Sequence, residues 1–484
     1  MKGMSDSQLI PEAEVYTEGV KTLLGEPKKA IIKLSIPMIM AMLVQATYNL
    51  VDAFWVAGIG SDALAAVGFV SPFYFMMMAI SMGLGVGGSS AISRRIGARD
   101  KRGADNVAAH SIVLLVVSAV AFTVPFYIFA EGLFGTIGAG ETLVMTVEYG
   151  RVIFLGAIFL FFSNVGNALL RGEGDAKRPM YALALGAGLN CVLDPLFIYT
   201  FGWGVGGAAW ATVFSLGISS ALLLYWLAVK SDTYVSFRLR GFKFDRHIIR
   251  DIFRVGLPST LTHISMSLST VVINFLIVFV SLGSTDGVAI YSTGWRVATI
   301  GTLPLVGIST AVVAVSGAAF GEKSYEKLSI SHLYAVKIGL VIEAVAAAVV
   351  FIFAPQITAV FTYSEAAAHI ADGLTLFLRI ACLFWPFVSL GMLSSALFEG
   401  VGRGTSSMIA TILRAVIFTF LFVFLLAFAF GYGLIGIWFG IVLANIVGSA
   451  VVFTWVRSYV KKMILTNDVV GSGIQADGPA APKP

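Results

Sequence analysis

Apolar residues in this chain gather in runs of about twenty, and short polar breaks separate the runs. At a rise of about 1.5 Å per residue, a helix of that length crosses the roughly 30 Å hydrocarbon layer of a bilayer. Twelve such runs are present, at 32–58, 63–91, 106–130, 146–170, 179–200, 205–229, 254–281, 287–316, 331–354, 370–398, 406–430 and 434–457. The pattern therefore predicts an all-α polytopic membrane protein with twelve spans. The breaks alternate in charge. One set is basic: Lys28 to Lys33, Arg94 to Arg102, Arg171 to Arg178, Lys230 to Arg254, Lys323 with Lys327, Arg403, and Arg457 with Lys461 and Lys462. The other set, at 58–62, 131–146, 201–204, 281–287, 355–370 and 431–433, carries no Lys or Arg. The positive-inside rule puts the basic set and both termini in the cytoplasm and makes the plasma membrane the expected location.

The 484 residues are 58% hydrophobic and 12% charged. A soluble protein carries about twice that charge, so the length does not stand for several soluble domains. The net charge of +5 comes from the basic loops, and nucleic acid is not an expected partner. Cys191 and Cys382 both lie in apolar runs, far apart, and are expected as buried apolar residues. Asp6, Glu12, Glu14 and Glu18 precede Lys28, the wrong order for a cleaved signal peptide, so the first span is expected to act as an uncleaved insertion signal. The stretch Gly471 to Pro484 is rich in Gly, Ala and Pro and is expected to be a disordered tail.

The chain also repeats itself. Val255-Gly256-Leu257-Pro258 opens the seventh span as Leu34-Ser35-Ile36-Pro37 opens the first, and Ser395 to Gly402 closes the tenth as Asn167 to Gly174 closes the fourth. Arg151 and Arg379 occupy matching places. Two six-span lobes follow, related by a pseudo-twofold axis along the membrane normal, with the functional site expected near the midplane. The expected divisions are an N-terminal segment 1–30, an N-lobe 31–229, a linker 230–254, a C-lobe 255–458 and a tail 459–484.

Against this apolar background the embedded acids stand out. Asp52 is the only acid between Leu34 and Gly58, and Asp194 interrupts the run from Pro179 to Thr200. A carboxylate at the centre of a membrane helix costs about 2.5–3.5 kcal/mol on insertion scales, so such groups mark ion or proton pathways by default. Gln45, Tyr48, Asn49 and Asp52 share one helix face, as do Asn190 and Asp194. Thr212 adds a hydroxyl in the sixth span. Carboxylate, amide and hydroxyl oxygens suit Na⁺, and a buried carboxyl can instead hold H⁺. Asp194 precedes Pro195, so a role in a local helix distortion stays open.

The chain resembles the multidrug and toxic compound extrusion (MATE) transporters over residues 28–460. The resemblance rests on Leu34 to Pro37, Gln45 to Asp52 (QATYNLVD), Ser89 to Asp100 (SSAISRRIGARD), Leu170 to Met180 (LRGEGDAKRPM) and Leu189 to Pro195 (LNCVLDP). It is nearest to archaeal members of the branch named after DNA-damage-inducible protein F. The resemblance implies export of cationic or amphiphilic organic compounds against Na⁺ or H⁺, no cofactor, no enzymatic activity, and a monomer in the lipid bilayer. It also implies a cation-binding cluster at Asp52, Asn190, Asp194 and Thr212. Tyr48, Tyr149 and Gln45 would line that lobe's cavity, with Asn49 on the same face, and the first helix would bend near Pro37.

The C-terminal half lacks this cluster: Ile273 stands opposite Asp52, and Phe418 and Phe422 stand opposite Asn190 and Asp194. Glu343 is its one well-embedded acid and is expected to pair with Lys337 or a membrane arginine. Arg296, Arg379 and Arg414 are expected to snorkel from helix ends or bond carbonyls. The five histidines show no ligand spacing. Gly83, Gly85, Gly87 and Gly88 lack the Lys-Ser of a phosphate loop and are expected to pack helices. With no nucleophile triad or phosphate loop visible, an enzyme or receptor lacks support. The rival within the transporter class is a flippase for a lipid or lipid-linked precursor, disfavoured by the acidic N-lobe.

Overall fold

The computed structural model describes residues 16–230, 232–236, 242–282, 284–363 and 365–471. Asp6, Glu12, Glu14 and the tail expected after Gly471 lie outside the described residues. Those described are helical apart from turns and short links, and no strand occurs among them.

A short helix, α1 (Glu18–Leu24), leads into α2 (Pro27–Ala57), α3 (Ser61–Gly97) and α4 (Lys101–Ile128), followed by the short α5 (Ala130–Thr136). The fourth span is split into α6 (Leu143–Leu155) and α7 (Ala157–Gly172). The fifth is α8 (Lys177–Pro195) with a π-helical turn at Leu196–Thr200, and the sixth is α9 (Gly204–Leu224) with a π-helical turn at Tyr225–Val229. The second half repeats the order: α10 (Arg246–Val280), then α11 (Asp286–Gly301) and α12 (Leu303–Gly321) as one span, then α13 (Tyr325–Ile352). The short α14 (Ala354–Phe361) and α15 (Glu365–Ala368) precede α16 (Ala371–Ala381) and α17 (Trp385–Gly400). The last two spans are α18 (Gly404–Ile412) with α19 (Thr419–Val423) and flanking π-helical segments, then α20 (Gly433–Gly471). Ten helices are long and apolar enough to span alone, and two bent pairs, at 44° and 54°, raise the number to twelve.

The breaks have local causes. Pro304 and Pro386 have no N–H for the carbonyls four residues back, which interrupts the eighth and tenth spans. Pro195 does the same where α8 passes into its π-helical turn. The repeat shows in the turns as well. Arg99 and Lys323 are left-handed at φ 58° and 59°, Gly174 and Gly402 at 85° and 79°, and Gly202 and Gly431 at 68° and 71°. Large apolar side chains such as Val117, Val120, Phe275, Phe279 and Val345 point outward, as a bilayer requires of its solute.

The lobes meet at the basic end of the bundle. Ser90 donates to the carbonyl of Glu399 at 2.5 Å, and Arg94 bonds Asp251 at 2.7 Å. Gly97 of α3 lies on the carbonyl of Ala318, and Gly321 of α12 lies reciprocally on the carbonyl of Arg94; a methyl group on either would overlap its neighbour. The expected packing role of the glycine run is also met: Gly83 and Gly87 seat α3 on the backbone of α10 at Gly256 and Ile252. Helix α1 straddles both halves, with Gly19 against Gly174 and the carbonyl of Leu24 accepting from Lys327 at 3.1 Å.

Candidate functional site

Helix α2 carries Asp52 about 22 Å beyond Pro37, towards the end without basic loops. Helix α8 brings Asn190 and Asp194 against it, one turn apart on one face. The carboxyl groups of Asp52 and Asp194 adjoin. Asp194 is 0% exposed and Asn190 2%, while Asp52 is half-buried. Asn190 Nδ2 donates to Thr212 Oγ1 at 3.4 Å, and Thr212 in turn donates to the carbonyl of Ala208 at 3.1 Å. This contact turns the amide nitrogen towards Thr212. Three buried acceptors, Asp194 Oδ1, Asp194 Oδ2 and Asn190 Oδ1, then have no hydrogen-bond donor among the described residues. A buried acceptor without a donor costs roughly 1–3 kcal/mol, and here three are concentrated at one spot.

Tyr48 and Tyr149 lie close enough to the two carboxyls to feel their charge. Tyr74 of α3 joins them, and so does the Cys191 thiol. Cys191, expected as a buried apolar residue, is only partly buried, and sequence reasoning passed over Tyr74, which lies between Phe73 and Phe75 in an apolar run with no spacing that singles it out. Ser215, one turn from Thr212, has a buried hydroxyl without a partner among the described residues and was legible in principle from the 3.6-residue period. Gln45 and Asn49 make no hydrogen bond to the acids among the described residues. Gln45 Nε2 donates to Asn49 Oδ1 at 3.4 Å, and Asn49 is exposed. Pro37 is buried where α2 packs on α12, and α2 runs through it as one helix.

At the non-basic end a small apolar cluster of Val56, Ile198 and Ala208, with Trp55 and Tyr149 against it, covers the acids. Tyr199 donates to the carbonyl of Trp55 at 2.7 Å and ties the end of α2 to the turn after α8. The carboxylate, amide and hydroxyl oxygens fit a hard monovalent cation or a proton. No metal-ligating group of three or more acids, histidines and cysteines occurs among the described residues.

Two expectations for the C-lobe are corrected. Glu343 pairs with neither Lys337 nor an arginine; both its carboxyl oxygens lack a partner among the described residues. Arg414 does not snorkel from a helix end. It sits at a π-helical segment in mid-span, packs on Gly391 and Gly448, and donates to Asn445 Oδ1 at 2.8 Å. The wider backbone of the π-helical turn opens the room this side chain occupies. Arg379 is exposed and lies over the Phe351 ring at 5.7 Å, as Arg151 lies over Tyr127 at 5.7 Å in the other half. Arg296 is exposed. Phe418 and Phe422, opposite the N-lobe ligands, pack on each other at 6.2 Å.

A two-lobed bundle of twelve spans whose repeat is broken by one buried acidic cluster is the architecture of a secondary transporter. The chain belongs to the MATE family of membrane transporters: the MatE family profile matches residues 37–196 and 258–425. The multidrug export protein MepA of Staphylococcus aureus (strain NCTC 8325 / PS 47) is 26% identical over 394 residues, 80% of this chain and 85% of the relative. A MATE protein solved in complex with MaL6 is 46% identical, with TM-score 0.90, covering 93% of this chain and 100% of that one. A multidrug resistance MATE transporter of the MOP superfamily in an outward-facing conformation is 46% identical, with TM-score 0.89, covering 93% and 99%.

Proposed function

We propose that this chain is an antiporter that exports cationic or amphiphilic organic compounds across the plasma membrane in exchange for Na⁺ or H⁺, with the coupling cation held at Asp52, Asn190, Asp194 and Thr212. The observation that carries this is the set of three buried, donorless oxygens on Asp194 and Asn190 beside the Asp52 carboxyl. A cation or a proton supplies what they lack. MepA's multidrug export and the greasy, methionine-rich α3 favour a tolerant organic cargo. Closure of the lobes at the basic, cytoplasmic end agrees with an outward-open state. Both termini are cytoplasmic in this reading. The N-lobe reading follows the archaeal branch named after DNA-damage-inducible protein F, including bending of α2 near Pro37, where the missing N–H weakens the helix.

In the cycle, cation entry from outside alters charge and hydrogen bonding around Asp52 and Asp194. Helix α2 carries that change towards Pro37, and the N-lobe cavity lined by Tyr48 and Tyr149 loses its cargo. Only a difference in cation affinity between the two states can drive this. A flippase for lipid-linked precursors fits less well, because the deep N-lobe groups are acidic.

The test is efflux of a fluorescent organic cation from proteoliposomes under separately imposed Na⁺ and pH gradients. Asp52→Asn and Asp194→Asn are expected to lower gradient-driven efflux at least about tenfold, the scale of a single lost coupling interaction. Native rates in both variants would remove the cluster from the mechanism.

A further inference from the structure

The C-lobe holds a second unexplained acid. Glu343 is 0% exposed, both oxygens lack a partner among the described residues, and no nearby charge acts on it. One turn back on α13, Gly339 lies against Leu305 of α12 and against Ser389 and Leu393 of α17. Both neighbours run antiparallel to α13. One turn forward, at Glu343, the facing positions are therefore one turn back on each: Gly301, which ends α11, and Ser389 and Trp385 of α17, the Ser389 hydroxyl being already spent on the carbonyl of Pro386. The Trp385 ring lies on Gly301, and its Nε1–H is buried without an acceptor among the described residues. An unpartnered acceptor and an unpartnered donor thus share the level at which the eighth and tenth spans are both broken.

A structural ion pair does not explain this acid, since it has no counter-charge. Packing does not require it either: the repeat places buried Ala119 at the same position in the N-lobe. A buried carboxylate without a partner is strongly unfavourable, and only its neutral form suits this site.

We propose that Glu343 is a proton-carrying site of the C-lobe, occupied in this conformation and emptied when the paired breaks in the eighth and tenth spans move. The acid gives its proton to water admitted at the breaks, and the carboxylate left behind accepts the Trp385 Nε1–H. On return it takes a proton back from water. Other titratable or charged groups on the packed elements sit at other levels. His332 bonds Ser394, Arg457 bonds Ser329, and Lys28 lies over Tyr334, all towards the basic end. Lys337 precedes Glu343 by more than a turn of α13. Arg379 over Phe351, with Asp372 and with His369 bonded to Asp286, lies towards the other end. Arg296 is exposed on α11, and Tyr291 is buried among Phe377 and Trp438. Among the described residues, the Cys382 thiol is the titratable group that shares the break. The proposal rests on the transport reading of the chain, but not on the N-lobe cluster.

The full chain in lipid vesicles tests it, with a fluorescent organic cation as cargo and pH and Na⁺ gradients imposed separately. Glu343→Gln is expected to cut the pH-driven component at least tenfold while binding of the cation stays within twofold, and Glu343→Asp, which keeps the ionisable group, to retain part of it. Native pH-driven efflux in Glu343→Gln overturns the proposal, even where Asp52→Asn is inactive and the N-lobe reading stands. Equal loss in Gln and Asp variants also overturns it. Should Glu343→Gln fail to fold, Trp385→Phe takes its place. Loss of the Nε1–H donor is expected to move the pH profile of efflux alkaline by about one unit, and an unmoved profile sinks the assignment.

Discussion

Asp194 shows how much a single side chain reveals once its neighbours are known. Both its oxygens are buried without a donor in hydrogen-bonding geometry among the described residues, so its negative charge is poorly compensated in this conformation. Asp194→Asn keeps the shape, removes the charge and offers a donor to the adjoining Asp52. The expected result is a fold at least as stable as the native one, with melting temperature unchanged or raised, together with lost coupling. Thermal melting beside the efflux assay checks it; a fall of several degrees would mean that the carboxylate has a structural partner. In the sequence, the residues of this cluster on α2 and α8 were legible because acids and amides are rare in apolar runs. Tyr74 and Ser215 were not, because a tyrosine among phenylalanines and a serine in a helix are ordinary packing residues until their surroundings are seen. The opposite error occurred at Glu343 and Arg414. Nearby charges in sequence suggested ion pairs and helix ends, whereas the structure gives one no partner and the other an amide in mid-span.

Among the elements, the link between α7 and α8 has a titration of its own, outside the spans. Glu173 is buried where α1, the α7 C-terminus and the 232–236 segment converge, and Val235 N–H donates to its Oε2 at 2.7 Å. Burial pushes its carboxyl up to about 8 from the ordinary 4.5, outweighing the Val235 bond and the nearby Arg178 and Lys101. The folded chain holds a proton there that the unfolded chain has already released. The stabilising contribution is therefore complete below about 4.5 and is lost as pH rises through about 8. Glu173→Gln is expected to flatten this part of the stability–pH curve, measured by melting temperature between pH 5 and about 9. Protection of α1 against hydrogen exchange is expected to fall over the same range in the native chain and to stay level in the variant. The spans themselves were visible from apolar run length, with ends shifted by several residues. The breaks at Pro304 and Pro386 were not assigned, because a proline in a membrane helix is compatible with both a continuous and a broken helix until its packing is known.

Across the whole molecule, closure at the basic end depends on a few inter-lobe contacts. Arg94–Asp251 is the charged one, with side chains 12% and 28% exposed, so solvent screens it only in part. Asp251→Asn is expected to weaken closure by about 1.5 kcal/mol, roughly a tenfold shift towards opening at that end. Distance measurements between spin labels on the two lobes would register it, and an unchanged distribution would show that the ion pair is incidental. Gly97→Val is expected to act more strongly in the same direction, since its side chain overlaps the Ala318 carbonyl. It should also lower the melting temperature by the equivalent of about 1–3 kcal/mol of overpacking.

The order of residues was enough to fix the number of spans, the duplicated layout and the identity of the acids buried in apolar runs. Each of these follows from local run length, loop charge and the cost of a carboxylate in hydrocarbon. The order could not say which buried oxygens lack donors, that Tyr74 faces the acids, or that Glu343 stands level with two helix breaks. Those facts depend on the register between helices distant in the chain, and that register is set by glycine contacts and proline breaks acting across the packed bundle.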